Sequence, residues 1–170
     1  MCAHALQVWQ ELDLSISHVA CYLSRPEEPD TQPLITACQA RGLGVLVPIL
    51  GASAYPGDPM TWALLQADDP VERGPFGIAQ PQTVVSMPVE QVQVMIIPAL
   101  AVDAAGNRLG QGGGYFDRAL SGIRSWQSGG PLRMGWVFAD EFLPALPAQD
   151  HDERIDVVVT PDSARWCVRQ

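Results

Sequence analysis

The stretch Gly44-Val45-Leu46-Val47-Pro48-Ile49-Leu50 contains no polar or charged side chain. A half-exposed strand alternates apolar and polar residues, whereas a strand covered on both faces of a parallel sheet reads as one apolar run. The stretch therefore predicts a doubly covered strand, and its neighbours extend the pattern both ways. Upstream, Leu6, Val8, Trp9 and Leu12 fall at the spacing of a short amphipathic helix, and Ile16 to Leu23 reads as a first strand. Asp30-Thr31 with Pro33 marks a helix start, Leu34, Ile35, Ala37 and Cys38 make its apolar face, and Gly42 stops it. Downstream, Val92 to Pro98 is the strongest buried strand. Tyr115 to Trp126 reads as a helix, Met134 to Phe138 as a strand, and Ile155 to Thr160 as the last central one, with Val168 at a terminal edge. Gly51 to Pro88 is irregular and rich in Gly, Pro and Asp, with Met60 to Leu65 as an edge strand.

Strands alternating with helices predict an α/β fold, a single three-layer α/β/α domain over residues 1–170 with a mostly parallel sheet and antiparallel strands at one edge. Such sheets bind ligands beyond the carboxyl ends of their strands. The expectation is that a glycine-rich segment after Val92 to Pro98, Glu28 and the acids near Asp152 meet on one rim.

Composition narrows the chemistry. With 47% hydrophobic and only 17% charged residues, 170 residues suffice for one full core. The run from Val92 to Val102 is broken by Gln93 and Pro98 and falls short of the roughly 20 residues a bilayer span needs. No basic segment followed by an apolar one opens the chain, so a cytoplasmic protein without a membrane segment is expected. Cys2, Cys21, Cys38 and Cys167 lack CxxC spacing and are expected as reduced thiols. The formal charge is −9, and all ten basic residues are arginine. Without a lysine there is no P-loop, and the acid excess argues against nucleic acid as a partner. An anionic ligand has to be captured locally.

Asn107-Arg108-Leu109-Gly110-Gln111-Gly112-Gly113-Gly114-Tyr115-Phe116-Asp117-Arg118 is the stretch equipped for that. Glycines allow positive φ and close backbone approach, free N–H groups attract an anion, arginine adds a fork of donors, and Asp117 is suited to a metal bridging phosphates. Glycines alone serve equally as turns; Arg108 and Asp117 tip the reading towards phosphate and metal. A dinucleotide fingerprint needs its glycines directly after a strand, and Ala99 to Arg108 intervene, although Asp140 stands where a ribose-binding acid would. Asp150-His151-Asp152 is either a source of metal ligands or a solvated turn before Ile155. Glu27-Glu28 reads as a charged loop ahead of a helix, and His18 as a core histidine. Trp62, Trp126, Trp136 and Trp166 read as core or rim. Ser86 and Ser121 lack the surroundings of a nucleophile.

Taken in order, these segments resemble the 5-formyltetrahydrofolate cyclo-ligase family. The resemblance runs from Tyr22-Leu23 and Glu28-Pro29-Asp30-Thr31 through Val47-Pro48, Gly77-Ile78-Ala79-Gln80-Pro81 and Ile97-Pro98-Ala99-Leu100-Ala101-Val102-Asp103. It continues through Gly106 to Arg118 and ends at His151-Asp152 with Ile155-Asp156. It implies an ATP- and Mg²⁺-dependent closure of 5-formyltetrahydrofolate to 5,10-methenyltetrahydrofolate, ADP and phosphate, carried out on small molecules by a monomer. By the same resemblance Arg108 and Tyr115 are catalytic. Arg108, Gly110, Gln111, Gly112, Gly113, Gly114, Tyr115 and Phe116 bind ATP, and Asp117 and Asp152 bind Mg²⁺. Glu28 hydrogen-bonds the pterin, and Phe76, Gly77 and Ile78 wall the folate. The chain departs from the family where a basic opening helix is usual, since no lysine or arginine precedes Arg25. Ile49 follows Val47-Pro48 where a basic residue is common, and Gln80 replaces a usual glutamate. Those departures imply either a start upstream of Met1 or a paralogue with reduced activity that binds folate or nucleotide without turnover.

Overall fold

A computed structural model describes residues 1–51, 60–149 and 152–168, Phe76 by its backbone alone. Its helices are α1 (Cys2–Glu11), α2 (Gln32–Gln39) and α3 (Tyr115–Ser121). The strands are β1 (His18–Ala20), β2 (Gly44–Ile49), β3 (Thr61–Leu64), β4 (Val71–Arg73), β5 (Ala79–Pro81) and β6 (Val94–Pro98). They continue with β7 (Ala101–Asp103), β8 (Arg108–Leu109), β9 (Leu132–Trp136), β10 (Phe142–Leu143), β11 (Val157–Val159) and β12 (Ala164–Trp166). The main sheet has seven strands in the order β12-β11-β9-β6-β1-β2-β3. Every neighbouring pair from β11 to β2 is parallel, and β12 and β3 add on antiparallel at opposite edges. Antiparallel strands were expected at one edge only. The Thr160 hydroxyl accepts from the N–H groups of Asp162 and Ser163, and so short a turn returns the chain only antiparallel to β11.

Apolar runs become a two-sided core because successive strand residues point to opposite faces. On one face Val45, Val47, Val94, Ile96, Met134, Trp136, Val157 and Val159 pack against Ala5, Val8 and Trp9 of α1 and Leu34, Ile35 and Cys38 of α2. On the other, Leu46, Met95, Ile97 and Val158 pack against Leu120 of α3, Ile123, Trp62 and Val102. That second cover is only partly helical, because β7 lies within it, in a three-stranded sheet ordered β10-β7-β8. α3 also stops well short of Trp126: Gly122 caps it, and glycine is among the poorest residues for a helix interior. The described cysteines are all free, Cys21 and Cys38 buried, and burial pushes the Cys38 thiol up to about 11. No helix among the described residues is long and apolar enough to cross a membrane.

The β7–β8 hairpin decides where the glycine segment goes. Asp103, buried at its turn, accepts from the N–H groups of Ala105 and Asn107, the Asn107 amide and the Leu146 N–H. Gly106 holds φ +82°, and a β-carbon there would lie 2.3 Å from the Ile155 carbonyl oxygen, so the position admits only glycine without rearrangement. The Ile155 N–H in turn donates to Gly106, pinning the hairpin tip ahead of β11. With its tip fixed, the returning strand brings Arg108 and Leu109 back beside the end of β6, where the Leu100 N–H donates to Leu109.

Burial pushes the Asp103 carboxyl up, but the Asn107 side chain and the N–H groups of Leu146, Asn107 and Ala105 outweigh it and hold it below the usual carboxylate range. A lowered folded-state value means stability present above the ordinary Asp value of about 3.9 and lost as pH falls through the lower folded value. Asp103→Asn is expected to lower urea stability at neutral pH and to flatten its decline in acid. A pH series of urea unfolding curves checks this; equal acid slopes in both proteins would refute it.

Candidate functional site

Arg108 is the best-buried charged group at the carboxyl end of β6. Its side chain is 4% exposed, and one terminal nitrogen sits 2.5 Å from Oδ1 of Asp117, whose own side chain is 32% exposed. The other terminal nitrogen donates to the Pro98 carbonyl at 3.4 Å. Its Nε is buried without a partner among the described residues. The guanidinium thus ties the end of a core strand to the first turn of α3.

Between these anchors the glycine loop crosses the rim. Gly112 (φ +85°) and Gly114 (φ +64°) occupy left-handed backbone, and a β-carbon on Gly113 would come within 3.0 Å of the Tyr115 ring. Gly112 and Gly113 are exposed to solvent. A side chain at Gly110 would press on Arg108 at 2.9 Å. Two of these glycines serve φ and two serve close approach, and backbone of this kind is what oxyanion cradles are built from.

Glu28 comes to the same rim from the loop after β1. Its Oε2 accepts from the Arg25 N–H at 2.9 Å, and its Oε1 from the Arg25 guanidinium at 3.0 Å and the Gln111 amide at 3.4 Å. That last contact joins positions 83 residues apart and places a carboxylate against the glycine loop. The buried Tyr22 hydroxyl nearby has no hydrogen-bond partner among the described residues. Burial, then Cys21, then the carboxylates of Glu28 and Glu141 push its phenol well above the ordinary range, so it stays a protonated donor. At the end of β2, Gln80 Oε1 accepts the Leu50 N–H at 2.6 Å, locking the Gly77-Ile78 turn beside that strand. A side-chain amide accepts there as well as a carboxylate would.

A model of the 5-formyltetrahydrofolate cyclo-ligase family matches residues 3–161. The chain belongs to that family. The cyclo-ligase of Escherichia coli K12 is 30% identical over 145 residues, covering 84% of this chain and 77% of the relative. That of Mycolicibacterium smegmatis is 30% identical over 164 residues, covering 94% and 81%. Among solved structures, the Aquifex aeolicus 5,10-methenyltetrahydrofolate synthetase superposes with a TM-score of 0.77 at 23% identity, over 99% of this chain and 82% of that one. This likeness carries the fold, a mixed α/β architecture on a large, mostly parallel sheet.

Within this cyclo-ligase fold the expected site residues divide into two groups. Arg108 bonds Asp117 at the ends of the glycine loop, Gln111 within the loop bonds Glu28, and Tyr115 follows the loop, its ring 5.0 Å from the Arg118 guanidinium carbon. The Phe116 ring packs on the core, edge-on to Trp62 with ring centroids 6.3 Å apart. Asp152 lies in the coil five residues ahead of β11, and its Oδ2 accepts the Gln149 N–H. The expected meeting on one rim holds for Glu28 and the glycine loop, through Gln111. Asp150 and His151 lie outside the described residues. Arg25, Tyr22 and Arg118 were not singled out from the sequence as site residues. Arg25 left a readable sign in its i,i+3 spacing to Glu28, and Tyr22 and Arg118 lie within the segments that carry the family resemblance.

Asp117→Ala leaves the buried Arg108 charge without its carboxylate, and a loss of about 2–3 kcal/mol is expected because uncompensated buried charge is costly. Replacing both partners, as in Arg108→Met with Asp117→Leu, is expected to recover much of it in chemical denaturation. A double variant as unstable as the sum of the singles would refute this account.

Proposed function

We propose that this chain is an ATP- and Mg²⁺-dependent 5-formyltetrahydrofolate cyclo-ligase. The observation that supports the reading is the Gln111–Glu28 contact, a carboxylate against the glycine loop in a chain belonging to this family. The amide oxygen of the formyl group is a poor leaving group. Transfer of the terminal phosphoryl of ATP to that oxygen lets N10 attack the formyl carbon, phosphate departs, and the N10 proton is lost. Catalysis of such a step is mainly positioning and charge stabilisation.

Arg108 and the N–H groups from Gly110 to Gly114 serve the phosphates, with Gln111, Tyr115 and the Phe116 backbone framing the nucleotide. Tyr115 stands at the loop's end towards the formyl group. Glu28, already accepting from two neighbours, takes the amino and ring N–H donors of the pterin, and the Tyr22 hydroxyl supplies a further donor there. Phe76, Gly77 and Ile78 form the folate wall. Magnesium binds proteins through one or two carboxylates together with phosphates and water. Asp117, which accepts from Arg108 through Oδ1 and whose side chain is a third exposed, fits that modest demand. Asp152 joins through water. The metal would neutralise charge on the phosphates.

A second reading, binding without efficient turnover, has its own support. α1 carries neither lysine nor arginine, and the end of β2 carries Ile49, so phosphate capture rests on Arg108, the metal and the loop N–H groups. Incubation with 5-formyltetrahydrofolate and Mg-ATP, followed by methenyl absorbance, separates the two: product formation supports the cyclo-ligase, and binding without product at high enzyme concentration sinks it. Arg108→Ala is expected to weaken ATP roughly 10–100-fold and folate by no more than about threefold, as loss of a charge-assisted phosphate contact requires. Equal losses for both ligands in titration calorimetry would contradict the assigned role.

A further inference from the structure

Arg118, in the middle of α3, folds its side chain back over the loop that precedes the helix. Its Nη1 donates to the Gly113 carbonyl at 3.0 Å, and its guanidinium carbon lies 5.0 Å from the centre of the Tyr115 ring. Gly114 makes this possible: it turns the chain at φ +64°, and a β-carbon there would meet Nη1 of Arg118 at 2.7 Å. Among the described residues no carboxylate lies within ion-pair distance of Arg118, so the guanidinium is committed to a peptide and a ring rather than to a counter-ion. It also lines a cavity of about 600 Å³ at the β3 edge, together with Met60, Trp62 and Met87.

A peptide unit is planar and trans, so its C=O and the N–H that follows point in opposite directions. Holding the Gly113 carbonyl on Arg118 therefore aims the Gly114 N–H away from the guanidinium, and that N–H has no backbone acceptor among the described residues. A cation on the carbonyl also polarises the peptide and strengthens its N–H as a donor. Such a hold is needed here. Arg108 and Asp117 fix the ends of the loop, but glycines at 112 to 114 leave the peptides between them free to rotate. We infer that Arg118 is a positioning residue, which fixes the Gly113–Gly114 peptide with its N–H presented to the oxyanion in the loop and, through Tyr115, aligns that donor with the reacting group. In a loop without lysine its charge acts through the peptide rather than on the ligand. The inference rests on the cyclo-ligase reading for the identity of the oxyanion as a phosphate of ATP and of the reacting group as the formyl. Because Arg108 and Asp117 hold the loop without it, Arg118 governs alignment more than affinity, and its loss falls on turnover.

The test uses the protein with Mg-ATP and 5-formyltetrahydrofolate. Arg118→Met keeps an unbranched stem and removes the donor; it is expected to lower kcat roughly tenfold while KM for either substrate changes by no more than about threefold, the pattern of lost alignment. Arg118→Lys keeps a cationic donor for the carbonyl and is expected to stay within about threefold of the wild-type kcat. Equal kcat losses in the two variants, or a loss confined to KM, would overturn the inference. Isotopic labelling of the glycines gives an NMR readout that needs no turnover. Mg-ATP is expected to move the Gly114 amide proton downfield in the wild type and by less than about half as much in Arg118→Met. The same shift in both proteins, or none in the wild type, would overturn the inference. An Arg118-dependent Gly114 shift without any methenyl product would overturn the cyclo-ligase reading and leave this inference standing, and product formed at a rate indifferent to Arg118 would do the reverse.

Discussion

The guanidinium of Arg108 is the fastening on which the site depends. It leaves the β7–β8 hairpin at the end of β6, reaches the Pro98 carbonyl with one nitrogen and Asp117 with another, and is nearly excluded from water. A cation in that position is tolerable only with its carboxylate, so the first turn of α3 is held against the end of a core strand. The glycine loop between them is then closed at both ends, and closure rather than glycine content gives its N–H groups a defined direction. The hairpin supplies the other half of the constraint: Asp103 gathers the turn, and Gly106 lets the tip meet the backbone at Ile155. Arg108 arrives where it does because the tip two residues before it is pinned.

Electrostatics and fold are reconciled by locality. Four of the described arginines act at short range. Arg25 engages Glu28, Arg108 engages Asp117, Arg133 engages Glu153 inside the sheet, and Arg118 lies over Tyr115. An acidic protein offers anions no long-range attraction, so recognition of phosphates or carboxylates must rely on fixed forks and backbone donors. The carboxylate of Glu28 sits at the far side of the loop, where a ligand rich in N–H donors is complementary and a phosphate is not. The rim is therefore polarised, with donors along the glycines and an acceptor at Gln111 and Glu28.

Much of this was legible beforehand, for specific reasons. Val45 to Val47 and Val94 to Ile97 are apolar without alternation because both faces of a parallel strand are covered, and that signal needs no partner to be read. The glycine segment with Arg108 and Asp117 was legible because phosphate chemistry demands those residue types close together in sequence. Less legible was the extent of α3, which Gly122 ends early, and the second antiparallel edge, which follows from a turn built on the Thr160 hydroxyl. Phe116 belongs to the motif by sequence, yet its ring serves the core against Trp62. Helical phase determines that, and phase depends on where the helix starts.

The amino-acid sequence by itself determined the α/β class, the order of the central strands' segments, the family and the phosphate-type loop, because each depends on residues near one another along the chain. Only the tertiary structure decided which distant groups share a rim. Gln111 meets Glu28 across 83 positions, Tyr22 buries its hydroxyl within electrostatic reach of the same carboxylate, and Arg118 lines a cavity at the β3 edge. Such pairings are set by the crossing order of parallel strands and by how tightly a hairpin can pack on a sheet. No local pattern encodes either, since the energy that selects them comes from the whole core closing at once.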